Sequence, residues 1–100
     1  MPDTVTDLLT AMVRVPTVNE RGKDDPDPER PLREMLRDLA ARWGFQTRAL
    51  PVPQGGANLV VMFEASPTNP WVVFESHMDT VPVEGMSIDP FSGQVRAGRL

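Results

Sequence analysis

The chain contains no cysteine, one lysine and a single histidine in its 100 residues. Without cysteine there is no disulfide framework, no thiolate nucleophile and no thiolate metal ligand. Any metal held here must therefore use histidine, aspartate, glutamate or water. A basic patch is missing as well. The ten basic residues are nine arginines and Lys23, scattered among 14 acidic residues for a formal net charge of −4. Nucleic acids and anionic membrane surfaces both select for clustered positive charge, so this composition argues against either as a partner. No apolar run approaches the roughly 20 residues that span a bilayer. The opening "MPDTVTDLLTAMVRVP" lacks the basic start and small-residue cleavage site of a secretory signal. Together these absences read as a cytoplasmic protein.

What is present is ordinary for a soluble globular chain: 40% hydrophobic and 24% charged residues. The length fits one small domain or part of a larger one. No repeat or low-complexity tract interrupts it.

Residues 4–14 read as an amphipathic helix. Val5, Leu8, Leu9, Met12 and Val13 recur at helical spacing, Asp3 or Thr4 can cap the start, and Pro16 ends it. The stretch "NERGKDDPDPERP" is acidic and proline-rich, as a loop would be. A second helix is expected from about Pro31, a favourable first-turn proline. Leu32, Met35, Leu36, Leu39, Ala40 and Trp43 form its apolar stripe, and Gly44 is placed to terminate it. Beyond Gly44 the period shortens. "FQTRALPV" alternates loosely, as an edge strand does, and is closed by Pro51 and Pro53. "NLVVMFEA" (58–65) and "WVVFES" (71–76) are short continuous apolar runs, the pattern of strands buried on both faces. "SPTNP" connects them as a turn. Weak strand character returns around Gln94–Val95, followed by a turn signal at Ala97–Gly98. The expected order is two helices followed by three or more strands, in an α/β arrangement. Two helices hardly cover both faces of such strands, so the chain reads as the N-terminal part of a larger domain.

The only histidine, His77, stands two residues before Asp79 at the end of the last apolar run. Side chains two apart on an extended backbone share a face. In open α/β sheets the C-terminal ends of strands are where ligands bind. A metal-bound histidine commonly gives its other ring nitrogen to a carboxylate, and Asp79 is spaced to accept it. The same spacing equally describes a capping pair on a surface. Spacing alone leaves both open.

The surrounding residues narrow the choice. Ser76-His77-Met78-Asp79-Thr80-Val81-Pro82, then Asp89-Pro90-Phe91, then Gly98-Arg99-Leu100 form a longer pattern. It resembles the co-catalytic zinc amidohydrolases and peptidases that include acetylornithine deacetylase, succinyl-diaminopimelate desuccinylase, aminoacylase-1 and glutamate carboxypeptidase. "VRVPTVNE" and "WGF" are similar to that family's opening, so the resemblance runs the length of the chain. It implies the N-terminal part of a three-layer α/β/α zinc-peptidase-like catalytic domain, spanning residues 1–100 and stopping before the second metal motif. It implies His77 as a ligand to one of two zinc ions, with cobalt or manganese as substitutes, and Asp79 as the catalytic-site carboxylate that orients His77. The family's bridging aspartate, general-base glutamate and remaining ligands would fall beyond Leu100, so these 100 residues alone are expected to be inactive and prone to aggregate. The substrate implied is a small N-acyl amino acid, with a short peptide as the alternative. A homodimer of the full-length protein is compatible with the resemblance.

Two other readings stand beside it. One is a non-catalytic truncated or interaction protein that keeps the architecture without the metal. The other is a phosphoesterase-type metal site, which would want further histidines that the chain lacks. Glu75 and Glu84 flank the motif as ordinary turn and strand-end carboxylates. Asp89 reads as a turn residue, Trp43 and Trp71 as core or semi-core aromatics rather than a cofactor stack. Gly55-Gly56 has no following helix and so does not form a phosphate loop.

Overall fold

The computed structural model describes residues 2–19 and 25–100. Residues 20–24 of the acidic loop expected between the helices lie outside the described residues. Two helices and a two-stranded sheet follow in order: α1 (Val5–Val13), α2 (Arg30–Arg42), β1 (Gln46–Pro51) and β2 (Ala57–Met62).

Both helices begin and end where local chemistry dictates. Thr4 sits in an extended conformation and its side chain accepts from the Asp7 amide at 3.1 Å, satisfying a donor that the first turn leaves free. Pro31 occupies the first turn of α2, where a missing N–H costs nothing. At its far end the Phe45 amide reaches back to the Ala40 carbonyl and the Gly44 amide to Ala41. This is a Schellman closure, and it requires the left-handed φ of +85° at Gly44.

The closure turns the chain directly into β1, which pairs antiparallel with β2 from Gln46↔Met62 to Pro51↔Ala57. Helix α2 packs on this hairpin and buries Leu32, Leu39 and Ala40, with Leu32 only 3% exposed. Phe45 and Phe63 meet edge to face, their ring centroids 6.2 Å apart at the open end of the hairpin. Arg33 reaches from α2 to the Asp27 carboxylate and to the Ala57 carbonyl, tying the loop before the helix to the start of β2. Asp27 is held below the ordinary carboxylate range by that guanidinium hydrogen bond.

The later apolar runs depart from expectation. β2 is covered by α2 on one face only, leaving Val61 and Phe63 exposed. Residues 71–76, expected as a strand buried on both faces, run outside any strand. Trp71, Val72, Val73 and Phe74 are all exposed, Phe74 to 93%. The physical reason is that burial on both faces needs neighbours, and no described residue supplies a ladder or a covering layer to this segment. The expected three or more strands are thus two among the described residues. The weak strand around Gln94–Val95 is likewise absent, although Arg96 and Arg99 close a tight turn over Ala97–Gly98 as expected. The radius of gyration, 15.7 Å, exceeds the roughly 13 Å of a compact chain of this length, in keeping with these open faces.

The segment after residue 76 is nonetheless anchored. Arg14, capping the end of α1, donates from Nε to the Ser92 carbonyl at 3.1 Å. Gly93 beside it is buried at φ +58°, and a Cβ there would stand 3.0 Å from the Thr10 carbonyl. Positive φ and this close approach to the helix end together favour glycine here.

Candidate functional site

The residues that follow α1 hold the His77–Asp79 segment in place. After Pro16 the chain is extended, and Val18 forms a parallel bridge with Thr80. The Thr80 amide donates to the Thr17 carbonyl at 3.0 Å, and the Asn19 amide donates to the Thr80 carbonyl at 2.9 Å. Thr17 is the one buried polar residue among those described, 2% exposed, and its hydroxyl donates to the Met78 carbonyl at 2.7 Å. That bond satisfies a hydroxyl that would be costly to bury unpaired.

The expected pairing of His77 with Asp79 is present. His77 Nδ1 lies 2.9 Å from the Asp79 backbone oxygen and 3.1 Å from Asp79 Oδ1. Neither the carbonyl nor the ionised carboxylate can donate, so Nδ1 must carry the proton. In the neutral ring the lone pair is then on Nε2, the nitrogen free to take a ligand. The His77 side chain is 85% exposed, so this lone pair is open to solvent. Asp79 receives a second donor, Asn19 Nδ2 to Oδ2 at 3.1 Å. The Asn19 amide, the largest influence, holds the Asp79 carboxyl below its ordinary value; burial opposes it, and His77 adds a lesser pull in the same direction as Asn19.

Asn19, His77, Asp79, Thr80, Val81 and Pro82 line an open depression of about 430 Å³. Glu29, at the N-terminal end of α2, feels the same region. Burial first, then repulsion by Asp79 and Asp27, raises its carboxyl above the ordinary value, with Arg33 and His77 pulling the other way. Another depression, of about 270 Å³, lies between α1 and α2 around Leu8, Ala11, Met35 and Leu39. It contains none of the candidate site residues.

Among the described residues, no three of histidine, aspartate or glutamate converge closely enough to hold a metal ion. The donor set fits one ligand of a zinc site: an exposed imidazole nitrogen, with its ring oriented by a carboxylate. It does not complete such a site. Thr17 and Asn19 were not singled out by sequence reasoning. Their signal is the same period of two that marks His77 and Asp79, in the extended stretch "PTVN" after the proline. Among the described residues no helix is long and apolar enough to cross a membrane.

No protein-family model matches the chain, and comparisons with curated proteins and with solved structures find no match.

Proposed function

We propose that these residues form the N-terminal part of the catalytic unit of a zinc-dependent amide hydrolase, acting on N-acyl amino acids in the manner of acetylornithine deacetylase. The observation that carries the reading is the placement of His77: its Nδ1–H donates to Asp79 and its Nε2 is left free on an exposed side chain. That is the arrangement a zinc-ligating histidine needs, with the carboxylate fixing the tautomer and raising the basicity of the ligand. The sequence around it, Ser76 to Pro82 and Asp89 to Phe91, resembles the family's first metal motif throughout.

In this reading His77 is the metal ligand and Asp79 the orienting carboxylate. A bound zinc ion supplies two things to amide hydrolysis, a water of lowered pKa and polarisation of the carbonyl. The remaining tasks visible on this chain are positional. Asp79 keeps the imidazole from rotating, and the Thr17–Asn19 segment keeps Asp79 in register. The exposed run Trp71–Phe74 supports membership in a larger unit, because four consecutive exposed apolar residues are a poor final state for a soluble surface.

Metal stoichiometry of the purified full-length protein, wild type beside His77→Ala, tests the reading. Loss of one zinc per chain in the variant is the expected outcome. Equal zinc content in both removes His77 from the ligand set and the hydrolase reading with it.

A further inference from the structure

The two oxygens of Asp79 are divided between two partners. Oδ1 faces His77 Nδ1 at 3.1 Å and Oδ2 takes the Asn19 amide at 3.1 Å. An aspartate carboxylate on its own turns easily about its last torsion, whose preference is broad and roughly two-fold. Held by one oxygen only, it would present either edge, or a twisted face, to the imidazole. We infer that Asn19 is a positioning residue: by holding Oδ2 it fixes the carboxylate plane, and through Asp79 it fixes His77 in the Nδ1–H form with Nε2 unprotonated.

The neighbouring contacts make this a built arrangement. The backbone of Asn19 is registered against Thr80 by its own amide, so its side chain starts from a fixed point. The Thr17 hydroxyl bonds the carbonyl of Met78, the residue between His77 and Asp79. The parallel bridge at Val18 therefore locks the backbone of the His-x-Asp segment, and Asn19 locks its one carboxylate. Thr17 is buried and Asn19 exposed, which separates their roles. Thr17 supports the fold, whereas Asn19 can be altered with little loss of packing. The inference deepens the zinc-hydrolase reading and rests on it for its purpose, since a fixed Nε2 lone pair is of use to a ligand-binding imidazole.

The imidazole ¹⁵N chemical shifts of His77, the chain's only histidine, report the ratio of the two tautomers directly and without metal. The measurement is made on the 100-residue chain at pH 9, where an ordinary imidazole is neutral. The wild type should be mainly Nδ1–H. Asn19→Ala should lower the ratio of Nδ1–H to Nε2–H by about two- to fivefold, the scale of one exposed hydrogen bond. In a chain already carrying Asp79→Ala the same substitution should do nothing, because the intermediary is gone. The Thr80 amide shift checks that the bridge to residues 17–19 persists. If Asn19→Ala loses that bridge, the near-isosteric Asn19→Asp replaces it. That variant should lower the ratio at least as far, by turning a donor into a second carboxylate. An unchanged ratio in a chain that keeps the bridge overturns the inference, and so does an equal effect with and without Asp79. The zinc content of the full-length protein, wild type beside His77→Ala, separates this result from the functional reading. A full-length protein that keeps its zinc in His77→Ala, while the tautomer of the 100-residue chain still follows Asn19, would leave the positioning role standing and remove the hydrolase reading.

Discussion

The α2–hairpin unit and the run from Trp71 to Phe74 are both rich in apolar residues, yet they end in opposite states. In the first, a helix packs on the strands that follow it within a few residues, and its Leu32, Leu39 and Ala40 are buried. In the second, four apolar side chains in a row meet solvent. Hydrophobicity is common to both. The difference is whether a partner surface lies close by along the chain. Helix α2 carries its own cover because the Schellman turn at Gly44 folds the hairpin straight back onto it. The later run has no such cover among the described residues.

The contrast can be broken most sharply by truncating one side chain in each region and following urea unfolding of the chain. Leu32→Ala should cost about 3 kcal/mol, the usual loss for a buried leucine, and should remove most of the cooperative transition. Phe74→Ala, the removal of a larger side chain, should change stability by no more than about 0.5 kcal/mol. A comparable loss from both would mean that the 71–74 run is covered in solution.

A smaller effect should follow from Asp27→Ala, which strips the half-buried Arg33 of its carboxylate partner and loosens the link between the pre-helix loop and β2. About 2 kcal/mol is expected, the range for a hydrogen bond to a charged group. The pH dependence gives a second reading of the same pair. The folded-state value of Asp27 lies below its unfolded one. Its contribution is therefore complete above the unfolded value and is lost as pH falls through the folded value. Acid titration of the wild type should show this loss in the carboxylate range, and Asp27→Ala should lack it. Identical acid limbs would deny the pair any role in joining loop to hairpin.

The smallest change belongs to α1. Thr4→Ala should cost about 1 kcal/mol by removing the cap on the Asp7 amide. Since α1 buries no residue completely, the loss should appear as fraying of residues 5–8 in amide exchange while α2 stays protected. Equal deprotection of both helices would show α1 to be part of the same cooperative unit as the hairpin.

How much of this was legible beforehand follows from the range of each interaction. Thr4, Pro31 and Gly44 act within a turn of themselves, so the sequence names them as helix ends and the structure uses them so. The i, i+2 spacing of His77 and Asp79 is equally local, and their side chains do meet. The buried strands expected over 58–65 and 71–76 depended on cover that no local pattern can guarantee. β2 gained one covered face from α2, and the later run gained none. Asn19 and Thr17 were illegible for a related reason, since a threonine and an asparagine after a proline look like any loop until residues 78–80 are laid beside them. The resemblance to a zinc-hydrolase motif concerns identity rather than packing, and metal analysis is what bears on it.

The hydrogen bond from Thr17 to Met78 joins residues 61 apart in the chain. Closing a loop carries an entropic cost that rises with its length, whereas helix and hairpin contacts close far shorter ones. Helix α2 and the β1–β2 hairpin should accordingly assemble early, and the His77–Asp79 segment should dock against residues 17–19 late. During refolding, the share of the tautomer preference that depends on Asn19 would appear only with this docking. The imidazole is thus a reporter of a long-range closure as well as a candidate ligand.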